Sequence, residues 1–249
     1  MRKKGEYAGQ RTVFDGVSLA IGLVLAAWIG AGALVRIKTQ DQTITVTGSA
    51  RRQIVSDSVV WRANVTSQAG QMNDTYKQLN ENVTKVVEYL KSKGVASDQI
   101  VVSSVSTLPF HPRNDKGIEI LDTVSSYKMS QEISIRSIDV ERITRISREA
   151  TELINQGVLL ESHDPEYRYT KLGDLKIQML AEAAKDAKIR ATQIAASTGA
   201  KVGALRSARM GVLQINPAGS SETSSEGNND IKSIEKDVIA VVTCSFAVE

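Results

Sequence analysis

A run of 20 residues without an ionisable side chain, from Gly16 to Val35, constrains this chain more than any other feature. At about 1.5 Å per residue, a helix of this length reaches about 30 Å, the thickness of the hydrocarbon core of a bilayer. Gly22, Gly30 and Gly32 would weaken such a helix in water, and apolar residues surround it on every face. The run therefore predicts a transmembrane segment rather than a buried helix of a soluble domain.

A cleaved secretory signal is the competing interpretation, because Ala31-Gly32-Ala33 has the small-x-small form that a signal peptidase accepts. The apolar run is longer than a usual signal core, so we expect an uncleaved signal anchor over residues 13–36, preceded by a cytoplasmic tail over residues 1–12. Both interpretations export the remainder. The expected location is the inner (cytoplasmic) membrane, crossed once, with the C-terminal domain in the periplasm or outside the cytoplasm.

The charge of the chain is concentrated around this segment. The whole sequence has 31 Lys and Arg against 28 Asp and Glu, a net charge of +3, but residues 1–38 alone contribute +4. The exported remainder is therefore balanced at −1. A balanced domain lacks the cationic excess on which nucleic-acid binding depends, so we expect no nucleic-acid partner.

Residues 42–249 begin with strand patterns and continue into a helix. Gln42 to Ser49 alternates, and Gly48 is interpreted as a turn or bulge before a long strand from Gln53 to Gln68. Apolar residues then recur at helical spacing until Gly94. They are Met72, Tyr76, Leu79, Val83, Val86, Val87 and Leu90.

The middle of the chain predicts further strands around a second helix. That helix has Asp139 as its N-cap, ends at Gly157, and carries an apolar stripe of Val140, Ile143, Ile146, Ala150, Leu153 and Ile154. The predicted strands are Ile100–Leu108, two stretches within Ile118–Ile138, and Val158–Tyr169.

A third helix, from Leu172 to Thr198, differs in kind. Ala183, Ala187 and Ala191 place small side chains on one face, which predicts a close approach to a sheet. The predicted elements that follow are a strand over Val202–Ile215, a flexible loop over Asn216–Asp230, and a strand over Val238–Val248 whose even-numbered residues face inward.

The predicted order β-β-α-β-β-α-β-α-β-β indicates an α+β domain over residues 42–249. We expect a largely antiparallel sheet with helices packed on one side, preceded by the single N-terminal transmembrane helix.

Four segments, in this order and spacing, resemble the SIMPL-domain family of bacterial envelope (periplasmic) proteins. They are ITVTGSARRQIVSDSVVWRANV, LKSKGVASDQIVVSSVS, SYKMSQEISIRSIDVERI and AEAAKDAKIRATQIAASTGAKVGAL. The resemblance covers about Gln42 to Glu249. It implies an extracytoplasmic α+β domain, a tendency to self-assemble into larger oligomers, and a role in envelope or oxidative-stress physiology. It implies no catalytic residue.

The two histidines are the first candidates for chemistry. His111 and His163 each lie in a polar loop containing proline, with no second histidine near either. A metal site would need carboxylates brought in by the fold, such as Asp115, Asp164 and Glu166. We expect two solvated loop histidines and no metal ligands.

Other catalytic patterns are also weak. Ser103, Ser104 and Ser106 fall on a predicted strand rather than a nucleophile elbow. Cys244 alternates with apolar residues and is expected to be buried; as the single cysteine it forms no intramolecular disulfide. Gly199 to Gly203 follows a helix, where a phosphate-binding loop would precede one.

These observations predict a membrane-anchored, non-catalytic domain that self-assembles or binds partners in the bacterial envelope, with stress defence as the implied setting. We expect no enzyme activity, no catalytic, cofactor-binding or metal residue, and no cofactor. The expected partners are further copies of the chain and the membrane, through the N-terminal helix. Two alternatives stay open: an envelope sensor that binds a small molecule or metal, and a hydrolase with dispersed catalytic residues.

Overall fold

The computed structural model describes residues 22–31 and 42–249. Residues 22–31 are helical, and their large apolar side chains, Leu23, Val24, Leu25, Trp28 and Ile29, are exposed. Across the described ranges, no helix has the length and apolar character needed to cross a membrane. The predicted tail over residues 1–12 and the predicted anchor over residues 13–21 and 32–36 lie outside the described residues.

Strands and helices over residues 42–249 confirm an α+β fold. The strands are β1 (Thr43–Val55), β2 (Ser58–Ala69), β3 (Ile100–Val102), β4 (Ser106–Phe110), β5 (Ser126–Ser137), β6 (Leu159–Ser162), β7 (Glu166–Arg168), β8 (Val202–Met210), β9 (Gln214–Pro217) and β10 (Glu235–Val248). The helices are α1 (Met72–Ser92), α2 (Val140–Glu149) and α3 (Leu172–Ser197), with 3-10 turns at Ser97–Gln99 and Ala150–Gln156.

The chain divides into two compact units. Within the described residues, unit 1 comprises 22–31, 42–50, 180–211 and 241–249, and unit 2 comprises 51–179 and 212–240. The strands form two sheets, one of four strands and one of six. The prediction of a single sheet is therefore wrong. The reason is that β2 is already paired with β5 on one side and with β6 and β7 on the other. Every strand pair with a described register is antiparallel, as predicted.

Unit 2 is built on the six-stranded sheet, in the order β3-β5-β2-β6, with β4 also on β5 and β7 also on β2. Trp61 lies opposite Ile135 and Ala63 opposite Ile133, so these side chains share a face. Most of the predicted stripes of α1 and α2 join that face in one buried cluster. Met72 and Tyr76, at the start of α1, are exposed, so their assignment to the buried stripe is wrong. Each large apolar side chain buried there contributes about 1.5–3 kcal/mol to folding.

The ends of the unit 2 helices follow the predicted caps. The Asp139 carboxylate accepts a hydrogen bond of 3.1 Å from the Arg142 backbone N–H, and Gly94 and Gly157 have positive φ. The second helix is shorter than predicted, because its last part tightens into the 3-10 turn Ala150–Gln156. Ile154 is consequently turned outward and is half exposed, so its assignment to the apolar stripe is wrong.

Unit 1 contains strands in the order β1-β10-β8, together with the alanine-rich part of α3. Ala183, Ala187 and Ala191 are fully buried, which agrees with their predicted role. A Cβ placed on Gly48 would overlap the Ala183 carbonyl oxygen and the Ala187 backbone nitrogen, and would lie 2.8 Å from the Ala187 Cα. Helix and strand are therefore in backbone contact at Gly48, which lies inside β1 rather than at the predicted turn.

Four other predicted segments are divided differently. The strand predicted over Ile100–Leu108 splits into β3 and β4. The strand predicted over Val202–Ile215 splits into β8 and β9, and the one predicted over Val158–Tyr169 splits into β6 and β7. In Ile118–Ile138 only β5 forms, because residues 118–125 have no strand to pair with beyond one isolated bridge.

The loop predicted as flexible after Asn216 has a defined hydrogen-bonding scheme within unit 2. The buried Gln214 side chain accepts hydrogen bonds from the backbone N–H groups of Ser224 (3.2 Å) and Asn228 (2.9 Å). The buried Asn216 amide donates to the Glu222 carbonyl at 2.7 Å. Buried amides thus organise this polar segment in place of the apolar side chains that it lacks.

Candidate functional site

The end of β4 and its connection to β5 form a hairpin in unit 2, and we call residues 108–124 the arm. The Ile120 N–H donates to the Pro112 carbonyl at 2.8 Å, and the Asn114 N–H donates to the Ile118 carbonyl at 2.9 Å. The Asn114 side-chain oxygen accepts from the Lys116 and Ile118 N–H groups, both at 3.0 Å. This Asx turn closes the tip, so the arm has a defined backbone of its own.

The arm carries large apolar side chains to the surface. Six of them are between 36% and 70% exposed: Leu108, Phe110, Ile118, Ile120, Leu121 and Val124. Single exposed apolar residues are ordinary on protein surfaces, whereas a concentration of them is a feature of interaction surfaces. The arm is therefore a candidate interaction surface.

Strand β8 supplies a second exposed feature, in unit 1. It is the terminal strand of its sheet, pairing with β10 alone among the described strands, and seven of its nine residues are exposed. Leu205 and Met210 are more than half exposed on it. The outer edge of such a strand presents unpaired backbone donors and acceptors, which can accept a strand from another chain.

A cavity of about 500 Å³ in unit 2 lies beside a buried lysine. Lys236 lines it and is only 2% exposed. Its ammonium donates hydrogen bonds to the carbonyls of Tyr167, at 2.9 Å, and Asp230. Burial lowers the pKa of Lys236, and the nearby Asp230 carboxylate partly opposes this shift. The contacts tie β10 to β7, so the lysine has a structural role.

Asp237, the next residue, is a buried carboxylate in unit 2 that pairs with the half-exposed Arg51 side chain. Its carboxylate accepts hydrogen bonds from the Arg51 guanidinium at 2.5 Å and from the Gly219 N–H at 2.7 Å. The Arg51 hydrogen bond, followed by the Gly219 hydrogen bond, lowers the pKa of Asp237. The carboxylate joins the end of β1 to the turn after β9.

Comparison with known proteins indicates the family of the chain. Residues 44–246 match the family model SIMPL, described as a protein of unknown function (DUF541). This match covers most of the chain. The chain belongs to the SIMPL family. The resemblance noted in the sequence is thereby confirmed.

Two curated relatives of this SIMPL protein are each called 26 kDa periplasmic immunogenic protein, from Brucella melitensis biotype 1 and Brucella abortus strain S19. Each is 23% identical over 124 residues, which is 49% of this chain and 50% of the relative. The chain thus spans about half the length of the curated relatives it matches.

Similarity to solved structures is low. The designed protein Foldit4 aligns with 43% of this chain and 93% of its own, at 16% identity and a TM-score of 0.21. The regulatory subunit of aspartate kinase from Thermus thermophilus aligns with 78% and 87%, at 16% identity and a TM-score of 0.19. Neither TM-score relates its fold to the SIMPL domain.

The structure places the two histidines of the SIMPL domain apart. The His111 Nδ1 hydrogen-bonds the Thr123 carbonyl at 2.8 Å within the arm, whereas the His163 Nε2 lies 3.1 Å from the Asn64 amide nitrogen. Glu166 accepts hydrogen bonds from Arg62 at 2.6 Å and from Arg168 at 2.7 Å. These two arginines lower its pKa, with the larger effect from Arg168.

The remaining residues considered for chemistry are the three serines, Cys244, Asp115 and Asp164. Ser103 and Ser104 lie between β3 and β4 rather than on a strand, and the Ser103 hydroxyl accepts the Glu132 N–H at 2.9 Å. Ser106 begins β4. Cys244 is buried, as predicted. In the part of the chain that the structure describes, no three His, Cys, Asp or Glu side chains form a group that could hold a metal. Asp115 lies on the arm, and Asp164 borders a further cavity.

The Asp237 ion pair predicts a pH dependence. Its folded-state pKa is lower than the unfolded value of about 3.9, so its contribution to stability is complete above pH ~4 and is lost as the pH falls toward the folded pKa. Asp237→Asn should lower the free energy of unfolding by about 1–2 kcal/mol at pH 7, and the difference from wild type should shrink as the pH falls below ~4. Urea unfolding followed by circular dichroism measures both effects.

Asp115→Asn is the matched control, because it removes the same charge from an exposed arm residue. It should leave the unfolding midpoint within error of wild type at every pH. A constant difference between wild type and Asp237→Asn from pH 7 to pH 2 would contradict the ion-pair assignment.

Proposed function

We propose that this SIMPL protein is a non-catalytic, membrane-anchored envelope domain that assembles with further copies of itself through the arm. The observation that carries the proposal is the exposure of six large apolar side chains on one short hairpin. Covering them removes apolar surface from water, which contributes about 25 cal/mol per Å². The family resemblance implies self-assembly, so the proposed partner is a second copy of the chain.

The charge of the arm favours a protein partner over a lipid surface. The arm contains Arg113 and Lys116 against Asp115, Glu119 and Asp122, a net charge of −1. Anionic membrane surfaces attract basic segments, so a slightly acidic arm has no electrostatic preference for them. The unpaired edge of β8 favours the same conclusion, because strand addition between copies would satisfy its backbone groups.

The proposed location is the cytoplasmic membrane, with the domain exported. The apolar run from Gly16 to Val35 has the length of a bilayer span, and the exposed apolar side chains of residues 22–31 suit a lipid environment. The relatives carry the word periplasmic in their names, which supports export. The family resemblance supports a role in envelope stress defence.

Cross-linking in intact cells tests this assembly. Lys116 is an exposed amine near the tip of the arm, so a short amine-reactive cross-linker should join it to a neighbouring copy. We expect adducts at multiples of the 27.0 kDa chain mass, with a lower yield for Lys116→Arg, which keeps the charge and removes the amine. Lys176→Arg, an exposed lysine on α3, should leave the yield unchanged. A single-chain band alone, at every cross-linker concentration, would overturn the proposal.

A further inference from the structure

A polar cavity of about 350 Å³ lies in unit 2, distinct from the arm. It is bordered by the end of α2 and the 3-10 turn that follows, by the β6–β7 turn, and by the segment before β10. Arg148, Lys232 and His163 are the basic residues among its lining, and Asp164 is the acidic one. Its volume is that of a small-molecule site.

Arg148 and Lys232, the two cations with the longest side chains at this cavity, are exposed, and their side chains have no partner within the described residues. Among residues 22–31 and 42–249, neither the Arg148 guanidinium nor the Lys232 ammonium has a described hydrogen bond or ion pair. The Arg62, Lys93 and Arg168 side chains of the same unit, by contrast, are each paired with a glutamate. Two unpaired cations on one cavity create a positive site for an oxyanion.

His163 adds a third donor. The Asn64 amide nitrogen, which can only donate, lies 3.1 Å from the His163 Nε2. When the Nε2 of the neutral ring accepts this hydrogen bond, the ring hydrogen is on Nδ1. In that tautomer the Nδ1–H is a further hydrogen-bond donor.

Two hydroxyl groups of the lining are placed to accept hydrogen bonds rather than to donate them. The Ser147 hydroxyl donates to the Thr144 carbonyl at 2.9 Å, and the Thr151 hydroxyl donates to the Arg148 carbonyl at 2.9 Å. Their protons are engaged, so they offer lone pairs to the cavity. With the Asp164 carboxylate, these oxygens would accept hydrogen bonds from the hydroxyl groups of a ligand.

We propose that this cavity binds a small oxyanion carried on a polyhydroxyl body, such as a sugar phosphate. Arg148, Lys232 and the His163 Nδ1–H bind the oxyanion, and Asp164 with the Ser147 and Thr151 hydroxyl oxygens accepts hydrogen bonds from the ligand hydroxyls. The site is independent of the arm, so it stands whether or not the protein assembles.

Isothermal titration calorimetry of the full-length chain in detergent, at constant ionic strength, tests the site. Glucose 6-phosphate should bind saturably, inorganic phosphate more weakly, and glucose without measurable heat. This order distinguishes the combined ligand from a bare phosphate. No saturable binding of glucose 6-phosphate, or equal affinity for it and for inorganic phosphate, would overturn the proposal.

Variants assign the binding to the cavity. Arg148→Gln and Lys232→Gln should each weaken glucose 6-phosphate about tenfold, the loss expected for one charge-assisted hydrogen bond. Arg145→Gln is the matched control, since Arg145 is an exposed arginine of α2 outside the lining. Thermal melting of each variant verifies folding. An equal loss of affinity in Arg148→Gln and Arg145→Gln would show that the ligand binds elsewhere.

Discussion

Gly48→Ala is expected to lower the free energy of unfolding by about 3 kcal/mol, the upper part of the range for overpacked cores. The added methyl group would meet the Ala183 carbonyl oxygen and the Ala187 nitrogen, which are backbone atoms and cannot rotate away. The helix would have to withdraw from β1, and the hydrogen bond of 2.8 Å from the Ser49 N–H to the Asp186 carboxylate would be lost. Urea unfolding followed by circular dichroism gives the difference.

Gly173→Ala is the control for this prediction. Gly173 lies in α3 without positive φ, and an added Cβ meets nothing within 4 Å. Alanine is the better helix former by about 1 kcal/mol, so this variant should be as stable as wild type or slightly more stable. All chains are compared at one protein concentration, because assembly makes apparent stability depend on concentration. Equal destabilisation by the two substitutions would contradict the close approach at Gly48.

Replacing three arm residues by serine, Ile118→Ser, Ile120→Ser and Leu121→Ser, is expected to abolish assembly while leaving the fold intact. The three side chains are exposed in the single chain, so their loss removes no core packing. It does remove apolar surface that the proposed interface buries. Size-exclusion chromatography with light scattering should change from an assembled to a single-chain mass.

The matched control makes the same number of apolar-to-serine changes elsewhere on unit 2. Val55→Ser, Ile138→Ser and Ile177→Ser alter exposed residues outside the arm, and the triple variant should retain the assembled mass. Dissociation of both triple variants would indicate general loss of apolar surface rather than a specific interface. Retained assembly in the arm variant would exclude the arm as the contact.

Features set by neighbouring residues were predictable from the sequence. The three helices, the Asp139 cap and the glycines with positive φ depend on hydrogen bonds within a few residues. Gly48 shows the limit of this local information. Its preference for turns is a property of the residue, but its place inside β1 depends on α3, more than 130 residues further along the chain.

The arm also shows why long-range pairing is difficult to predict. Ile118 and Ile120 alternate as in a strand, yet whether a strand forms depends on a partner, and residues 118–125 have only an isolated bridge. The same apolar residues are therefore exposed. A sequence pattern alone did not distinguish a buried strand from an apolar hairpin.

Lys236 was overlooked although a signal was present. The even-numbered residues of β10 from Val238 to Val248 were predicted to face inward, and the same alternation extended by two residues reaches Lys236. Because a charged residue is seldom buried, the predicted inward-facing alternation began at Val238 and left out Lys236. The carbonyls of Tyr167 and Asp230, which accept its hydrogen bonds, come from separate parts of the chain.

The most direct test of the central claim is the mass of the wild-type full-length chain, measured by sedimentation velocity in density-matched detergent over a hundredfold range of concentration. We expect one dominant species whose protein mass is a fixed multiple of 27.0 kDa. A protein mass of one chain throughout the range would contradict it.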